Sequence, residues 1–106
     1  MIKFIVVVYR RADFSRAEFV RYFREVHGPL AEQLPGLSKY VQNFVADDPQ
    51  RKHPGWDVIS ELYFESRAAL EAAWATPAGA AATRDLENCA DLSRTTWSLV
   101  DEIAVR

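Results

Sequence analysis

The sequence has little of the residue types on which several kinds of protein chemistry depend. Among its 106 residues it has one cysteine, Cys89, and two histidines, His27 and His53. A single thiol excludes an internal disulfide and every CxxC motif of zinc sites and haem attachment. The two histidines do not have the spacing of a metal-binding pair, and neither a glycine-rich phosphate loop nor a nucleophile elbow is present. We therefore predict no metal site and no cofactor.

Charge of one sign and long apolar runs are also scarce. The 13 Lys and Arg and 15 Asp and Glu residues give a net charge of −2, and they alternate along the chain, so no basic stripe is available for a nucleic acid. The longest apolar run, residues 4–9, is far shorter than the roughly 20 residues that cross a bilayer. The first residues lack the pattern of a secretory signal. We expect a cytoplasmic protein with neither a nucleic-acid nor a membrane partner.

The composition that remains is typical of one globular domain. Apolar residues make up 49% of the chain and charged residues 26%, and no linker or repeat divides it. Two separate cores within 106 residues would each be too small to fold comfortably. We therefore predict a single domain over residues 1–106.

Hydrophobic patterns and turn signals predict four strands. The first is apolar on both alternating faces, which is typical of a central strand that is covered on each side. The predicted strands are Ile2–Tyr9, Leu37–Val45, Asp57–Phe64 and Thr96–Val105. A loop rich in proline, glycine and aspartate at 47–55 connects the second strand to the third, as in a hairpin.

The first predicted helix follows the first strand. Ser15 and Glu18 form a capping box at its start. Four apolar residues then recur at helical spacing, namely Phe19, Phe23, Val26 and Leu30. The pair Gly28-Pro29 is predicted to interrupt the helix near its end, because the residue before a proline is disfavoured in the helical region. His27 would then lie at a helix terminus.

Two more helices complete the pattern. Ser66 is predicted to cap the second, and Thr76-Pro77 to begin a third, alanine-rich helix that extends to about Cys89. The order is β-α-β-β-α-β with an extra helix before the last strand. This order predicts the α+β class and a ferredoxin-like fold, in which a four-stranded antiparallel sheet carries its helices on one face.

Helices on one face would leave the other face of the sheet open. The first strand is apolar on both sides, with Phe4, Val6 and Val8 on one face and Ile5, Val7 and Tyr9 on the other. An apolar sheet face in water would exceed the apolar patches that monomers usually expose. We therefore predict an obligate homodimer in which two sheets pack against each other.

His27 and Tyr40 are the predicted catalytic residues. Imidazole is the side chain whose ordinary pKa allows proton exchange near neutral pH, although a histidine at a helix end also serves to interact with free carbonyls. Tyr40 follows on the next strand, where its hydroxyl can polarise a ligand oxygen. The alternative is a core aromatic with a satisfied hydroxyl.

Five further residues are candidates for binding a substrate. Asp57 and Glu61 lie four residues apart on one predicted strand, so both carboxylates would face a polar cavity or a subunit seam. Tyr63 and Trp74 are candidates for apolar walls, although aromatic residues at such places are often core. Asp85 lies three residues before Asn88 on the third helix, a spacing that also suits a solvated face.

The order and the motifs together resemble the EthD-like family. The resemblance rests on residues 19–30, FVRYFREVHGPL, on LPGL at 34–37 and on Lys39-Tyr40. Residues 57–64 and 76–85 are similar as well, so the likeness covers nearly the whole chain. It implies a dimeric α+β barrel in which each subunit keeps a pocket between its sheet and its helices.

The resemblance implies more than one possible function. A similar enzyme, muconolactone methylisomerase, has a histidine and a tyrosine in its pocket at the spacing of His27 and Tyr40, but this chain lacks the additional cysteines of that pocket. Fungal polyketide dehydratases have EthD-like domains, and the family's namesake is encoded with a cytochrome P450 system for ether degradation. Haem enzymes also occur on related barrels, yet nothing in this sequence indicates an axial ligand.

Two classes of function follow. The first is a cofactor-independent isomerase, dehydratase or cyclase in a degradative or secondary-metabolic pathway, in which His27 moves a proton of a small apolar or aromatic carbonyl compound while Tyr40 holds its oxygen. The second is a non-catalytic binding or accessory protein of an oxygenase system. They differ in one feature, because catalysis needs a ring nitrogen of His27 that is accessible from the pocket.

Overall fold

The computed structural model describes all 106 residues as one α+β unit. The strands are β1 (Ile2–Val8), β2 (Lys39–Phe44), β3 (Val58–Phe64) and β4 (Thr96–Val100). The α-helices are α1 (Arg16–Tyr22), α2 (Gly28–Glu32), α3 (Arg67–Trp74) and α4 (Pro77–Asp85). A π-helical turn, Phe23–His27, joins α1 to α2, and a short 3₁₀ turn, Leu86–Asn88, follows α4. No helix is both long and apolar enough to span a bilayer.

The four strands form one antiparallel sheet in the order β2-β3-β1-β4. This is the predicted ferredoxin-like arrangement, with β1 and β3 in the centre. Val6 lies opposite Ser60 on β3 and Trp97 on β4, and Ser60 lies opposite Gln42 on β2. Because side chains alternate along a strand, these four residues share one face of the sheet, and their neighbours in each strand share the other.

The helices cover the face that carries Val6, which we call the covered face. Its core residues come from β1, β3 and the helices and include Val6, Val8, Phe19, Phe23, Val58, Leu62, Phe64 and Leu70. The predicted caps form as expected: Ser15 and Glu18 make a capping box, Ser66 caps α3 and Thr76 caps α4. Cys89 is also fully buried in this core.

The first helix differs from its prediction in which residues face the sheet. The α-helical period predicted Val26 and Leu30 on the buried side, but His27 and Ala31 are buried instead and Val26 is exposed. Phe23, His27 and Ala31 follow one another at intervals of four residues. In a regular α-helix four residues make about 40° more than one full turn, so side chains at this spacing drift away from the sheet. The π-turn adds a residue to one turn, so that the stripe returns to the sheet.

The predicted interruption at Gly28-Pro29 is wrong, because the chain stays helical through both residues. Gly28 has φ −53° and ψ −54°, and its N–H donates to the carbonyl of Phe23 across the π-turn. A glycine has no Cβ to collide with the following proline ring, which removes part of the usual restriction. A Cβ there would also lie 3.1 Å from Gln42 Nε2. His27 therefore lies inside a continuous helix and not at a terminus.

The last strand is shorter than predicted. It ends at Val100, and residues 101–106 form no strand. The apolar alternation of Ile103 and Val105 has no sheet partner within the chain, and both side chains are exposed. Glu102 instead contacts Lys3, 2.9 Å away, on the uncovered side of the sheet. Alternation alone predicted a strand where backbone pairing is absent.

The second side of the sheet, which we call the open face, carries no helix. Its centre holds Ile5, Val7 and Ile59, which are half-buried. At one end, Lys3 Nζ donates to Glu61 at 2.7 Å and to Glu102 at 2.9 Å. These hydrogen bonds raise the pKa of Lys3 above its ordinary value of 10.5. The open face is therefore partly apolar and partly an ion-paired surface.

Candidate functional site

A narrow cavity lies between the covered face and the helices. Its volume is about 30 Å³, which is the space of a water molecule or of one carbonyl group. Most of its lining is apolar. Thr83 of α4 is one polar residue of the lining, and three further polar side chains reach it, those of His27, Tyr40 and Ser60. The π-turn brings His27 to this wall, while β2 and β3 supply the other two. A cavity that is apolar with a few convergent polar groups is the usual form of a small-molecule site.

His27 is held in one orientation by two contacts. Its Nδ1 lies 3.1 Å from Asp85 Oδ2 on α4. The ring of Phe23 packs against the imidazole with 4.6 Å between the ring centroids. A carboxylate next to Nδ1 favours the tautomer with the hydrogen on Nδ1, which leaves Nε2 as the basic nitrogen. Nε2 has no hydrogen-bond partner in the protein.

Asp85 is ionised because three groups donate to it. Tyr22 donates from its hydroxyl at 2.6 Å and Asn88 from its amide at 3.0 Å, both to Oδ1, while His27 contacts Oδ2. Burial by itself would raise the pKa of Asp85, but these hydrogen bonds together hold it below its ordinary value of 3.8. The buried carboxylate therefore remains a negative charge beside His27 at neutral pH.

Burial sets the protonation state of His27. It lowers the pKa of the imidazole below the ordinary 6.5, and the hydrogen bond and charge of Asp85 offset this only in part. At neutral pH His27 is therefore uncharged, with Nδ1–H donating to Asp85 and the lone pair of Nε2 free. A neutral, oriented imidazole with a free Nε2 has the properties of a general base.

Tyr40 and Ser60 place hydroxyl groups at the same cavity. Gln42 Nε2 donates to the Tyr40 hydroxyl at 2.9 Å and to the Phe23 carbonyl at 3.2 Å. The Tyr40 oxygen thus accepts a hydrogen bond, and its own hydrogen is left to donate elsewhere. Burial raises the pKa of Tyr40, so the phenol stays protonated. The buried Ser60 Oγ lies next to the Tyr40 hydroxyl but makes no hydrogen bond of good geometry, which is uncommon for a buried polar atom.

These groups together can move a proton and stabilise a developing negative charge. Nε2 of His27 accepts a proton, while the hydroxyls of Tyr40 and Ser60 donate to an oxygen on which charge develops. No residue of the site indicates a redox step or a nucleophilic attack. Nowhere in the chain do three His, Cys, Asp or Glu side chains come close enough together to hold a metal ion.

The structure brings four of the predicted site residues together and separates the other three. His27, Tyr40 and Trp74 line the cavity, and Asp85 contacts His27 directly. The solvated face that the spacing of Asp85 and Asn88 suggested is wrong for Asp85, whose side chain is buried. The turn of α4 into a 3₁₀ turn places both residues against Tyr22.

Glu61, Tyr63 and Asp57 do not reach the cavity. Glu61 and Tyr63 alternate with Ser60 and Leu62 along β3 and so lie on the open face, where Glu61 pairs with Lys3. Asp57 precedes β3, accepts from the Arg10 backbone N–H at 2.9 Å and lies 3.4 Å from Arg10 Nε. Of the two predicted locations for the carboxylates, the seam side holds Glu61, while Asp57 caps a strand end.

Three residues of the site were not predicted. Ser60 belongs to the residues of β3 that point to the covered face, but a serine between apolar residues gives no functional signal by itself. Tyr22 was known only as part of the helix motif, and its bond to Asp85 joins residues 63 positions apart. Gln42, two residues after Tyr40, shares the parity of that residue on β2, and this spacing is the signal by which it might have been found.

A larger cleft of about 610 Å³ lies between α1 and the end of β2. Arginine and acidic side chains line it, among them Arg16, Arg24 and Asp47, and it contains neither His27 nor Tyr40. We assign the candidate site to the smaller cavity because perturbed titratable groups and unpaired polar atoms converge there. Size alone does not supply that chemistry.

Comparison with known proteins places this chain in a family. A family model described as the EthD domain matches residues 11–93. An uncharacterized 11.0 kDa protein from the thcB-thcC intergenic region of Rhodococcus erythropolis is 30% identical over 86 residues, which cover 81% of this chain and 82% of that protein.

Solved structures share the whole fold. An ethyl tert-butyl ether d (EthD) family protein from Bacillus halodurans superposes with a TM-score of 0.80 at 21% identity, covering 97% of this chain and 100% of the other. SnoaB from Streptomyces nogalater, a cofactor-independent oxygenase, has a TM-score of 0.70 at 13% identity, with 98% and 94% covered. A dimeric ferredoxin-like protein from Thermobifida fusca has a TM-score of 0.72 at 13% identity, with 95% and 90% covered. Because the family model matches well over half of the chain, this protein belongs to the EthD domain family.

Proposed function

We propose that this protein is a cofactor-independent proton-transfer enzyme that acts on a small, largely apolar or aromatic carbonyl compound. The single observation that carries the proposal is the state of His27. Its Nδ1 is committed to Asp85 at 3.1 Å, while Nε2 is free at a cavity shared with Tyr40. An imidazole that served only the structure would gain by pairing both nitrogens, since an unmade buried hydrogen bond costs free energy.

The proposed step begins with a carbonyl oxygen in the cavity. Nε2 of His27 removes a proton from the carbon next to the carbonyl, and the electron pair of that C–H bond forms the enolate. The hydroxyls of Tyr40 and Ser60 donate hydrogen bonds to the enolate oxygen. The imidazolium, stabilised by Asp85, then returns its proton to a different carbon in an isomerisation, or to a leaving hydroxyl in a dehydration.

Two observations support catalysis over simple binding. SnoaB, which shares the fold, is a cofactor-independent oxygenase, so chemistry without a cofactor occurs on this scaffold. The neighbouring hydroxyls of Tyr40 and Ser60 supply donors that one ligand oxygen in the cavity can accept from. A non-catalytic accessory protein of an oxygenase system is the alternative, and it needs the cavity but not the basic Nε2. The expected cytoplasmic location is part of the same proposal.

Hydrogen exchange on a model ketone tests the proposal directly. The probe is 2-tetralone, an aromatic ketone with exchangeable hydrogens beside its carbonyl, in deuterated buffer followed by proton NMR. We expect the purified protein to accelerate exchange above the buffer rate at a saturable site. Saturable binding with no acceleration at any pH between about 6 and 9, the range in which a histidine base is neutral, would favour the accessory role.

We also propose that the protein is a homodimer built through its open face. The apolar centre at Ile5, Val7 and Ile59 has no covering element within the chain. The shared fold of a dimeric ferredoxin-like protein supports self-association. Light scattering at micromolar concentration is the measurement, and a stable mass near 12.1 kDa would contradict the dimer.

A further inference from the structure

A larger vestibule at the edge of the sheet adjoins the cavity at His27 and shares part of its lining. The vestibule has a volume of about 410 Å³ and lies between β4 and the helices α3 and α4. Three residues border both spaces, Trp74, Thr83 and Trp97. A molecule that extends from the vestibule toward His27 would therefore contact the side chains of Trp74 and Trp97.

The sizes of the two spaces indicate that different parts of one ligand would occupy them. The inner cavity, about 30 Å³, accepts an oxygen or a carbonyl group but not a ring, because a single water already occupies about that volume in the liquid. The vestibule is more than ten times larger, by the ratio of 410 to 30. The body of the ligand therefore stays at the level of Trp74 and Trp97 while its oxygen points inward.

Trp74 is a fixed wall. Its Nε1–H donates to Thr83 Oγ1 at 3.1 Å, which ties the end of α3 to α4. Its ring meets Phe4 edge-on with 5.2 Å between centroids and Phe64 with 5.9 Å. Both neighbours lie on the covered face, so the indole is held from below and its position is set by the core.

Trp97 is a wall of a different kind. It projects from the edge strand β4 on the covered face, opposite Val6, and 43% of its surface is exposed. It stacks on no other aromatic ring, and its indole N–H makes no hydrogen bond within the chain. A large aromatic residue at a mouth with neither kind of partner has its ring face available to a ligand.

We propose that Trp74 and Trp97 form an aromatic clamp that selects a flat, fused aromatic ring system whose oxygen substituent points toward His27. The choice of reacting atom rests on the proposed function, but the selection of a flat ring does not. A planar aromatic ring can stack on an indole face, whereas a saturated ring of the same carbon skeleton is thicker and lacks the aromatic face. The clamp thus determines substrate shape, and the inner cavity determines which end reacts.

Two matched probes test the clamp by calorimetry. The first is 2-naphthol and the second is decahydro-2-naphthol, which has the same skeleton and hydroxyl but is not flat. We expect 2-naphthol to bind about tenfold more tightly, the effect of one favourable aromatic contact. Trp97→Ala should remove most of this difference, and Trp97→Phe should restore it. Trp97 is chosen over Trp74 because the latter packs in the core and its loss would disturb the fold.

The control variant is Trp56→Ala, which changes the remaining tryptophan, one that borders neither space. It should keep the preference for 2-naphthol. Equal affinity of the two probes in the unchanged protein, or an unchanged preference in Trp97→Ala, would overturn the clamp. So would a loss of the dimer in Trp97→Ala by light scattering, since Trp97 would then belong to a subunit contact.

The same variants separate the clamp from the proposed function. If 2-naphthol binding depends on Trp97 but no form of the protein exchanges the hydrogens of 2-tetralone, the clamp stands and proton transfer fails. If 2-tetralone is exchanged with the same KM and kcat in Trp97→Ala, the clamp fails and proton transfer stands. A rise in KM with a nearly unchanged kcat supports both.

Discussion

The two faces of the sheet use their polar residues in opposite ways. On the open face Lys3 and its neighbours are paired: Lys3 contacts Glu61 and Glu102, and Asn43 also donates to Glu61. On the covered face His27 makes a hydrogen bond through Nδ1 only, and the buried Ser60 Oγ makes none of good geometry. The polar groups around Lys3 on the open face are satisfied within the chain, whereas those of the covered face at His27 and Ser60 are partly unsatisfied.

This contrast separates residues that hold the molecule together from residues that are free to act on something else. Buried polar atoms without partners are costly. The Ser60 hydroxyl is such a group, and it lines the same small cavity as His27. The ion pairs of the open face, by contrast, leave no charge of Lys3 or Glu61 without a partner. The sequence predicted ionisable or hydroxyl-bearing candidates on both faces without distinguishing the two situations. Each experiment below changes one face and measures whether the other responds.

The largest expected effect comes from removing the base. His27→Ala should lower the exchange rate of 2-tetralone by about 10²–10⁴-fold, the usual contribution of a general base. Proton NMR in deuterated buffer measures it, and His53→Ala, the other histidine, is the matched control. A rate in His27→Ala within a factor of two of the unchanged protein would assign the proton transfer to another group.

Asp85→Asn should have the next largest effect, because Asp85 is a positioning residue for His27. The carboxylate raises the pKa of the imidazole, so its loss should shift the lower limb of the pH–rate profile to lower pH. It should also reduce the rate by roughly 10- to 100-fold, as expected for a partner that orients a functional histidine. Tyr22→Phe, which removes one donor to Asp85 but leaves the His27 contact, should shift the profile less. An unmoved profile in Asp85→Asn would indicate a purely structural carboxylate.

The stability of the covered face should depend on pH in a way that the His27 variant abolishes. Burial lowers the pKa of His27 below 6.5, so the unfolded chain takes up a proton before the folded one does. Stability is therefore complete above about pH 6.5 and decreases as the pH falls through the window just below it. Asp85, whose pKa is lowered from 3.8, loses its contribution only in a more acidic range.

Calorimetry of the unfolding transition checks this pH dependence. The Tm of the unchanged protein should fall more between about pH 7 and about pH 5 than that of His27→Gln, which lacks the titrating group. His53→Gln should keep the steeper fall. Parallel curves for the unchanged protein and His27→Gln would show that His27 does not titrate differently in the folded state.

The smallest effect on chemistry is expected from the open face. Lys3→Met removes the cation that holds Glu61 and Glu102, and the exchange rate should stay within about twofold because no group of the cavity is touched. The last residues, 101–106, should instead be removed faster by carboxypeptidase, as mass spectrometry would show. A large loss of exchange activity in Lys3→Met would mean that the two faces are coupled. Lys39→Met, whose ammonium makes no ion pair, is the control.

Much of the fold was predictable because it follows from local signals. The caps at Ser15, Ser66 and Thr76 and the alternation of β1 determine where elements begin and which faces are apolar. The strand after Val100 was over-predicted because alternation describes side chains, whereas a strand also needs backbone partners. Ile103 and Val105 have none within the chain.

The site was predictable only in part because its geometry is not local. His27 and Tyr40 were found through a motif and a spacing, and the structure places both at one cavity; their catalytic role stays a prediction. The contacts of Asp85 with His27 and Tyr22 join two distant segments, 58 and 63 residues apart, and no periodicity encodes them. Glu61 and Tyr63 were misplaced for a simpler reason, because strand parity alone does not say which face the helices cover.

Because of the π-turn at Phe23–His27, the direction in which the candidate base points depends on the number of residues in that turn. One residue advances a regular helix by about 100°, so deleting one residue in this turn would restore ordinary helical spacing and rotate everything before it relative to Gly28 and α2. An insertion or deletion would thus change which side chain faces the cavity without altering any residue type. Within the family, an alignment gap of one position here would therefore separate members that present His27 to the sheet from members that present its neighbour.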